Sequence, residues 1–441
     1  MFGLLERALE TALKDCEQAE IYAERSRVLS IDFEKGKVKR GKVGENLGIG
    51  IRVVLSKKVG FSYTTSAERL EECIAAAIRQ AKASETDEAF EGLPQPSRGY
   101  STPERTFDEA VVALSAGAAV ELCESMISAA LEKGVKTVEG GFSAGYDEVF
   151  VLSSEGVKTQ DRATFVSGSL TAIASSAGGE EVAAWEGTVS HFLQDFDAEF
   201  VGREAASVAV ASLGGERCET RKMPVVLTPK SLQSLLPYTT IAQLNAENVQ
   251  KKQSPYYKKK NESIASEILT ILDDGTLPGG LNTRKMDGEG IASQKTMLVE
   301  CGVLKNFLYD SYTATKDNVE STGNAVRSYD TLPRVGATNF VLTAEELLKK
   351  EELLGEIKEG LLVHDLIGAH TASRASGEFS VVAYNAFIVR RGELRPAKNV
   401  MLAGASTEIL KNVVALADDV RQLGSVVSPS ILVKNIQVVS A

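Results

Sequence analysis

The chain has 441 residues, more than one hydrophobic core usually holds, so we expect two or three domains. Its 60 Asp and Glu outnumber its 49 Lys and Arg, and the formal net charge of −11 disfavours nucleic acid or an anionic membrane as the main partner. The five cysteines form no CxxC pair, no stretch is apolar enough to span a bilayer, and the first residues do not resemble a signal peptide. These features predict a cytoplasmic protein.

Residues 1–88 are predicted to form a first α+β unit, in which a small antiparallel sheet lies between two helices. Apolar side chains recur at helical spacing over residues 3–16, and alternating runs then cover residues 21–43 and 47–55. A second helix follows and ends near Ser84. Its apolar face consists of Leu70, Ile74, Ala77, Ile78 and Ala81.

Residues 89–106 hold three of the eleven prolines and two glycines, which predicts a linker. A second α+β unit is predicted over residues 107–216. It opens with a helical apolar pattern that ends at Gly134, continues with strand-like runs, and closes with an Ala/Val-rich helix over residues 204–213.

Strand signals dominate the third unit, residues 221–441. Cys301-Gly302 and Arg391-Gly392 lie between alternating runs, where a tight hairpin turn is expected. Helical patterns interrupt the strands around residues 231–247, 344–358 and 406–414. The predicted fold class is therefore α+β, with two small helix-sheet-helix units followed by a large, mainly antiparallel β domain.

The three histidines do not form a standard zinc motif. A zinc hydrolase places two histidines four residues apart on one helix, with a glutamate beside the first, so that both imidazoles reach one metal. His191, His364 and His370 are never that close. A looser site in which Gly368 bends His364 towards His370 stays open, against the simpler interpretation that both bond to backbone at the end of a sheet.

Two further patterns have simple structural explanations. Residues 141–145 match the GxSxG string of a hydrolase nucleophile elbow, but the pattern after Ser143 continues as a strand, where the elbow requires a helix. Carboxylates that could hold Mg²⁺ or act as general acids cluster in the Gly-rich stretch 272–290, yet the Asp-Gly and Pro-Gly pairs there are typical of tight turns. This cluster consists of Asp273, Asp274, Asp287 and Glu289.

Five lysines surround Tyr256 and Tyr257 between residues 251 and 260. Such a segment could contact phosphate or stack on bases, but it is isolated in an acidic chain. The simpler prediction is a solvated, mobile loop after the helix over residues 231–247.

The third unit contains a distinctive set of strings, and the first unit adds another. They are GENLGIGIRVVLSKKVGFSYTT at 44–65, DDGTLPGGLNTRKMDGEG at 273–290, TGNAVR at 322–327, ATNFVL at 337–342, SGEFS at 376–380 and PSILVKNIQV at 429–438. With these strings the chain resembles the TldD/PmbA family of metalloproteases, some members of which are named as modulators of DNA gyrase.

The resemblance implies a chain that lacks the catalytic motif of the family. The TldD branch carries an HExxxH zinc motif on a helix shortly after a Val-Val-Leu strand, and a cysteine as third ligand in the C-terminal part. Here residues 234–242, which follow the Val-Val-Leu at 225–227, contain neither His nor Glu, and no cysteine follows Cys301. The chain is thus similar to the PmbA (TldE) branch. We expect no catalytic residue, metal ligand or cofactor in this chain, and zinc only in a TldD-like partner.

The resemblance also implies a function. The chain would be a PmbA/TldE-like subunit of a cytosolic protease complex that acts on peptides or unfolded segments. Its expected partners are an HExxxH-bearing TldD-like paralogue in a homo- or hetero-oligomer and the polypeptide substrate, with no membrane or nucleic-acid partner. Two rival functions stay open: an independent hydrolase that uses Ser143 or the acidic turns, and a regulatory protein that binds a macromolecule such as gyrase.

Residues 311–327 are the predicted chamber-lining segment. They follow a strand predicted over residues 303–309 and lack strong periodicity, and glycine and asparagine within them favour an exposed turn. An ordinary surface loop is the simpler alternative. The candidate partner- or peptide-binding residues are Tyr312, Gly323, Asn324 and Arg327.

Overall fold

The computed structural model describes residues 1–440. The elements of its N-terminal half are α1 (Phe2–Ala12), β1 (Gln18–Glu34), β2 (Lys37–Leu55), β3 (Lys58–Thr64), α2 (Leu70–Ala83), α3 (Glu109–Val112), α4 (Ala116–Leu131), β4 (Thr137–Ser153), β5 (Lys158–Ser175), β6 (Glu181–Ser190) and α5 (Ala198–Ala211). No helix within residues 1–440 has the length and apolar character needed to cross a membrane.

The C-terminal part, described to residue 440, contains 15 strands and six α-helices, most of them short. In chain order they are β7 (Arg221–Leu227), α6 (Pro229–Leu235), α7 (Thr240–Leu244), α8 (Ala246–Gln250), β8 (Thr270–Asp274), β9 (Lys295–Glu300), β10 (Val303–Leu304), α9 (Ser311–Asp317), β11 (Ala325–Val326), β12 (Arg334–Val335), β13 (Phe340–Thr343), α10 (Lys350–Gly355), β14 (Gly360–Ile367), β15 (Glu378–Arg390), β16 (Glu393–Ala397), β17 (Val400–Ala405), α11 (Ser406–Lys411), β18 (Val413–Leu416), β19 (Arg421–Leu423), β20 (Val426–Ser428) and β21 (Ile431–Ser440).

One antiparallel sheet runs through both N-terminal units, in the order β3-β2-β1-β4-β5-β6. It is continuous because β1 pairs with β4 along the whole stretch Glu20 to Glu34. α1 and α2 pack on the half formed by β1 to β3, and α4 and α5 pack on the other half. The five residues predicted for the apolar face of α2 are all buried, which confirms that helix. The domain division at residues 88, 106 and 216 stays a prediction, since the sheet crosses the first two units.

The C-terminal part is built on a closed ring of five strands and a second, six-stranded sheet. β14 pairs with both β7 and β15, which closes the ring β14-β7-β21-β17-β15. The second sheet has the order β10-β9-β8-β13-β20-β19. The largest buried cluster fills the space between ring, sheet and the helices α6 and α7. Both sheets are mainly antiparallel, so the predicted α+β class is confirmed.

The two predicted hairpins are confirmed by their backbone angles. The φ angles of Cys301 and Gly302 are 45° and 79°, and those of Arg391 and Gly392 are 48° and 83°. Positive φ at both central residues is the geometry of a two-residue hairpin turn, which glycine adopts without strain.

Several predicted lengths were wrong. The helix over residues 231–247 is broken into short pieces, because Pro237 has no backbone N–H and Thr239 has a non-helical backbone. The strand over residues 303–309 shortens to β10, since Lys305 and Asn306 turn back and donate to the carbonyl of Leu298. The helix over residues 344–358 shortens to α10.

The Lys-rich segment 251–260 is packed, so the prediction of a mobile loop was wrong. The Tyr256 ring is buried against the core, and the Ser254 hydroxyl, also buried, donates to the carbonyl of Gln243 at 2.7 Å. The backbone N–H of Tyr256 donates in turn to the Ser254 hydroxyl at 3.1 Å. One aromatic anchor therefore fixes the segment while its lysines stay exposed.

Candidate functional site

The predicted chamber-lining segment continues into a docking contact between the C-terminal part and the N-terminal sheet. Tyr329 lies on the β2 surface at Gly48 and Gly50. A Cβ atom at Gly48 would stand 2.1 Å from Cγ of the Tyr329 ring, and one at Gly50 would stand 2.3 Å from the Tyr329 carbonyl oxygen. Only glycine permits this close approach, so the Gly-Ile-Gly stretch of β2 is the surface on which the C-terminal part packs.

A buried network of four charged side chains lies beneath this contact. Nη2 of Arg52 is 2.7 Å from Oε2 of Glu20 and 3.2 Å from Oε1 of Glu289. Nη1 of Arg327 donates to the other oxygen of Glu20. All four side chains are at most 7% exposed, and two carboxylates balance two guanidinium groups. The network therefore joins β1 and β2 to the 282–293 and 322–330 regions.

The pairing decides the protonation of Glu20. Burial alone would raise the pKa of its carboxyl, but the guanidinium groups of Arg52 and Arg327 outweigh burial and hold the pKa below its ordinary value. Removal of one partner from such a buried group leaves an uncompensated charge, which is the costly case.

An interdomain cavity of about 230 Å³ opens beside Arg327. β1, β4 and β5 line one side, and the turn residues 282–293 with residues 325–338 line the other. Its three carboxylates are Glu24, Asp161 and Asp287, and each accepts hydrogen bonds at both oxygens. Donors of the protein itself therefore already hold all three carboxylates.

The acidic turns serve mainly as local structure. Oδ1 of Asp274 accepts from the backbone and hydroxyl of Thr276, and Oδ1 of Asp287 accepts from the N–H groups of Glu289 and Ile291. Both are the side-chain turns that the Asp-Gly pairs predict. Burial raises the pKa of Asp287 to about 8, with repulsion from Glu289 adding to it.

A second buried aspartate lies in the same region. Burial raises the pKa of Asp273 to about 6, although Thr338 and Asn324 donate to it. Burial keeps these carboxyl groups protonated in the folded chain, and their ionisation at higher pH destabilises the fold. Both aspartates therefore make the free energy of unfolding depend on pH.

We expect the free energy of unfolding to fall as pH rises from about 6 to about 8. Between its ordinary pKa of 3.8 and its folded pKa of about 8, Asp287 holds a proton in the folded chain that the unfolded chain has released. Asp273 acts in the same direction but only up to about pH 6. Glu20 has the opposite effect at acid pH. Because its pKa is lowered in the folded chain, its ionised carboxylate stabilises the fold once the pH exceeds the ordinary pKa of glutamate. Urea midpoints measured across this range give the slope.

Asp287→Asn should flatten that slope between pH 6 and 8, whatever its effect on absolute stability. Asp195→Asn is the control, since Asp195 is half-exposed and pairs with Arg105 at the surface. A slope that persists unchanged in Asp287→Asn would assign the pH dependence to other groups.

The structure separates the four candidate binding residues. Tyr312 is partly exposed, stacks on Phe90 and donates its hydroxyl to Asp87 at 2.9 Å. Gly323 has a φ of 69° and packs on the backbone of Ala292. Asn324 is 1% exposed, and the Arg327 side chain is fully buried in the charge network.

The expectation of an exposed turn at Gly323 and Asn324 was therefore wrong, because both residues are buried. Nδ2 of Asn324 donates to Asp273 at 2.7 Å and to the carbonyl of Gly336 at 3.0 Å, and its Oδ1 accepts from the Thr322 hydroxyl at 2.6 Å. The segment begins with α9, which the weak periodicity did not predict. These side chains satisfy buried groups, which a loop with polar residues does not reveal in its sequence.

The 234–242 segment, where the resemblance would place a zinc motif, has no side chain suited to hold zinc. Ser234 donates to Oδ1 of Asp365 at 2.8 Å, and Oδ2 of that carboxylate accepts from the indole of Trp185 at 2.7 Å. Thr239 and Thr240 are buried, and Tyr238 stands edge-on to His370 with ring centroids 6.5 Å apart. Zinc needs several His, Cys or carboxylate ligands, and the single carboxylate here is held by two donors.

The histidines considered for a looser metal site have different neighbours. Nε2 of His364 is 3.7 Å from Glu204, while His370 contacts Tyr238. Among residues 1–440, no three His, Cys, Asp or Glu side chains stand close enough to share a metal ion. The residues present therefore do not fit a zinc site.

The GxSxG string lies within β4, so it is not a nucleophile elbow. Ser143 pairs with Ser30 of β1 and Ser167 of β5 in mid-sheet. A Cβ atom at Gly145 would stand 2.0 Å from the carbonyl oxygen of Arg27, so that glycine allows close strand packing.

Next to the 234–242 segment lies a surface that we call the Ile367 patch. Ile367 and Val382 are cross-strand partners on β14 and β15, and they are 50% and 42% exposed. Asp365 precedes Ile367 by two residues, hence on the same face, and bonds Trp185. We define the patch as Ile367 and Val382 with Trp185 and Tyr238, which are 39% and 41% exposed and are linked to this region by the Trp185–Asp365 bond and the Tyr238–His370 contact. Exposed apolar side chains grouped in this way commonly mark an interaction site.

Sequence reasoning missed the buried charge network and the lysine beneath Trp185. Lys230 is buried and donates to the carbonyl of Trp185, and its Nζ lies 4.1 Å from the centroid of the indole ring. Burial lowers the pKa of its ammonium group. One signal was available: Arg52 stands alone in the apolar run of β2 and Glu20 in that of β1. A lone charge in a buried strand requires a partner, which the sequence does not name.

Comparison with known proteins agrees with the resemblance. Family models of the PmbA/TldA metallopeptidases match residues 19–81 with domain 1, residues 110–213 with the central domain, and residues 220–440 with the C-terminal domain. An uncharacterised protein of Methanocaldococcus jannaschii is 33% identical over 430 residues, or 98% of each chain. A metalloprotease TldD homologue of Haemophilus influenzae is 25% identical over 92% of this chain and 86% of its own.

Among solved structures, TldE from Thermococcus kodakarensis has the same fold. Its TM-score is 0.91 at 24% identity, covering 99% of this chain and 100% of that one.

Proposed function

The chain belongs to the PmbA/TldD metallopeptidase family, and we propose that within it this protein is a PmbA/TldE-like, non-catalytic subunit. It would act in the cytoplasm with an HExxxH-bearing TldD-like paralogue on peptides or unfolded segments. One observation carries the proposal: the 234–242 segment, where the resemblance would place the zinc motif, contributes only hydroxyl-bearing and apolar side chains.

The Ile367 patch supports the pairing. A subunit without catalytic groups contributes to proteolysis only if it shapes or closes the site of another chain. The patch borders the 234–242 segment through the Ser234–Asp365–Trp185 hydrogen bonds and the Tyr238–His370 contact. A TldD-like chain seated there would cover these apolar side chains, which is the usual source of stability in a permanent interface.

We expect Ile367→Glu combined with Val382→Glu to prevent association with the paralogue and to abolish the peptidase activity of the mixture. Two buried carboxylates without partners would strongly destabilise an interface. In the free chain the same positions are exposed, so the free energy of unfolding should change by only about 0.5 kcal/mol. Light scattering and cleavage of casein by the co-expressed pair measure both effects.

Leu394→Glu is the matched control, because Leu394 is 44% exposed on β16, outside the patch. It should leave association and activity intact. A parent chain that remains monomeric and ignores the co-expressed paralogue would overturn the subunit proposal, and activity of the chain alone would favour an independent hydrolase.

The purified chain should contain no stoichiometric zinc and should not cleave casein, because neither the 234–242 segment nor the two separated histidines provide a ligand set. Elemental analysis checks the first expectation. About one zinc per chain that is lost on changing His364 or His370 would contradict it.

A further inference from the structure

A basic groove lies on the far edge of the second sheet, beside the Lys-rich segment. Its volume is about 630 Å³. Lys260, Lys295 and Lys305 line it together with the apolar side chains of Met297 and Val319. The one acidic residue in its lining is Glu320. In a chain with a net charge of −11, this is a local reversal of sign.

The lysines of the groove are only weakly engaged. Nζ of Lys295 is 3.9 Å from the buried carboxylate of Asp274, and Nζ of Lys305 is 3.2 Å from the exposed carboxylate of Glu300. Within residues 1–440, Lys260 has no carboxylate oxygen within 4.0 Å, and neither do Lys258 and Lys259 before it. Because buried Tyr256 fixes the segment, these ammonium groups are held near the groove without being neutralised.

The groove also contains an open strand edge. β8 pairs with one side of β9 from Lys295 onward, but β10 pairs with the other side only at Val299 and Glu300. Within the described residues 1–440, Lys295, Thr296 and Met297 therefore have no strand partner on the groove side. An unpaired edge presents backbone N–H and C=O groups that an extended peptide can complete.

We propose that this groove binds an acidic, extended polypeptide segment that adds to β9 as an edge strand. The peptide backbone would pair with residues 295–297, and its carboxylates would meet Lys260, Lys295 and Lys305. Its apolar side chains would lie on Met297 and Val319. The site belongs to this chain alone, so it does not depend on the paralogue.

The same lysines are poorly placed for nucleic acid. A duplex extends well beyond one groove, and its phosphates would meet the acidic remainder of the surface. The exposed ring of Tyr257 is not free to stack on a base, since the ammonium groups of Lys252 and Lys258 lie over it at 5.6 and 5.5 Å. A short acidic peptide is confined to the basic groove and avoids both problems.

The test uses the full chain and a labelled peptide of about ten residues that alternates Glu and Val, with fluorescence anisotropy as the readout. We expect binding that weakens with salt. The joint change Lys260→Gln, Lys295→Gln and Lys305→Gln should weaken it at least about tenfold. The joint change Lys37→Gln, Lys39→Gln and Lys42→Gln on the exposed β1–β2 hairpin removes the same charge elsewhere and should leave it unchanged.

A second measurement tests strand addition. Along an added strand, only every second N–H group points towards β9. N-methyl groups on that set of alternate peptide residues should abolish binding, and N-methyl groups on the other set should not. The proposal would be overturned if both lysine variants lost the same amount of peptide affinity, or if both methylation patterns had the same effect. Tighter binding of oligo-dT than of the peptide would also overturn it.

Discussion

Arg52→Met should lower the free energy of unfolding by about 3–5 kcal/mol, because it leaves buried Glu289 without a cation and Glu20 with one cation fewer. Methionine keeps much of the side-chain volume, so the loss measures charge compensation more than packing. Urea denaturation at neutral pH gives the value.

Arg40→Met is the matched control. Arg40 lies on the same strand and pairs with Asp32 at 2.7 Å, but both side chains are more than half exposed, so we expect a change of about 0–1 kcal/mol. Should Arg52→Met fail to fold, Arg52→Met with Glu289→Gln removes both charges and should recover part of the stability. Equal effects of Arg52→Met and Arg40→Met would mean that the network contributes little.

Asn324→Leu should lower the free energy of unfolding by about 2–4 kcal/mol, since it removes one donor from buried Asp273 and the amide donor from the Gly336 carbonyl, and the Thr322 hydroxyl loses one of its acceptors. Leucine is similar in size to asparagine, so the lost hydrogen bonds dominate. Asn324→Asp should be worse, because it places a second carboxylate 2.7 Å from the Asp273 oxygen.

Tyr312→Phe serves as the control from the same segment. It removes one hydroxyl that donates to partly exposed Asp87, and we expect the free energy of unfolding to fall by about 1 kcal/mol or less. If Asn324→Leu leaves the melting temperature unchanged, residues 311–327 behave as an exposed loop.

The sequence alone determined the parts of the fold that depend on local pattern. The apolar face of α2 follows from a 3.6-residue period, and the turns at residues 301–302 and 391–392 follow from glycine after a strand. The absence of His and Glu from residues 234–242 is likewise a sequence property.

Only the tertiary structure decided which distant residues meet. Glu20 and Arg327 are 307 positions apart in the chain, and their ion pair exists because Tyr329 seats on Gly48 and brings residues 322–330 onto β1 and β2. Arg327 is buried against Glu20 of β1, and Asn324, which was expected in an exposed turn, is buried by its bonds to Asp273, Thr322 and Gly336. Periodicity reports which face of an element is apolar, whereas the pairing of buried charges depends on how separate elements pack, which no local pattern specifies.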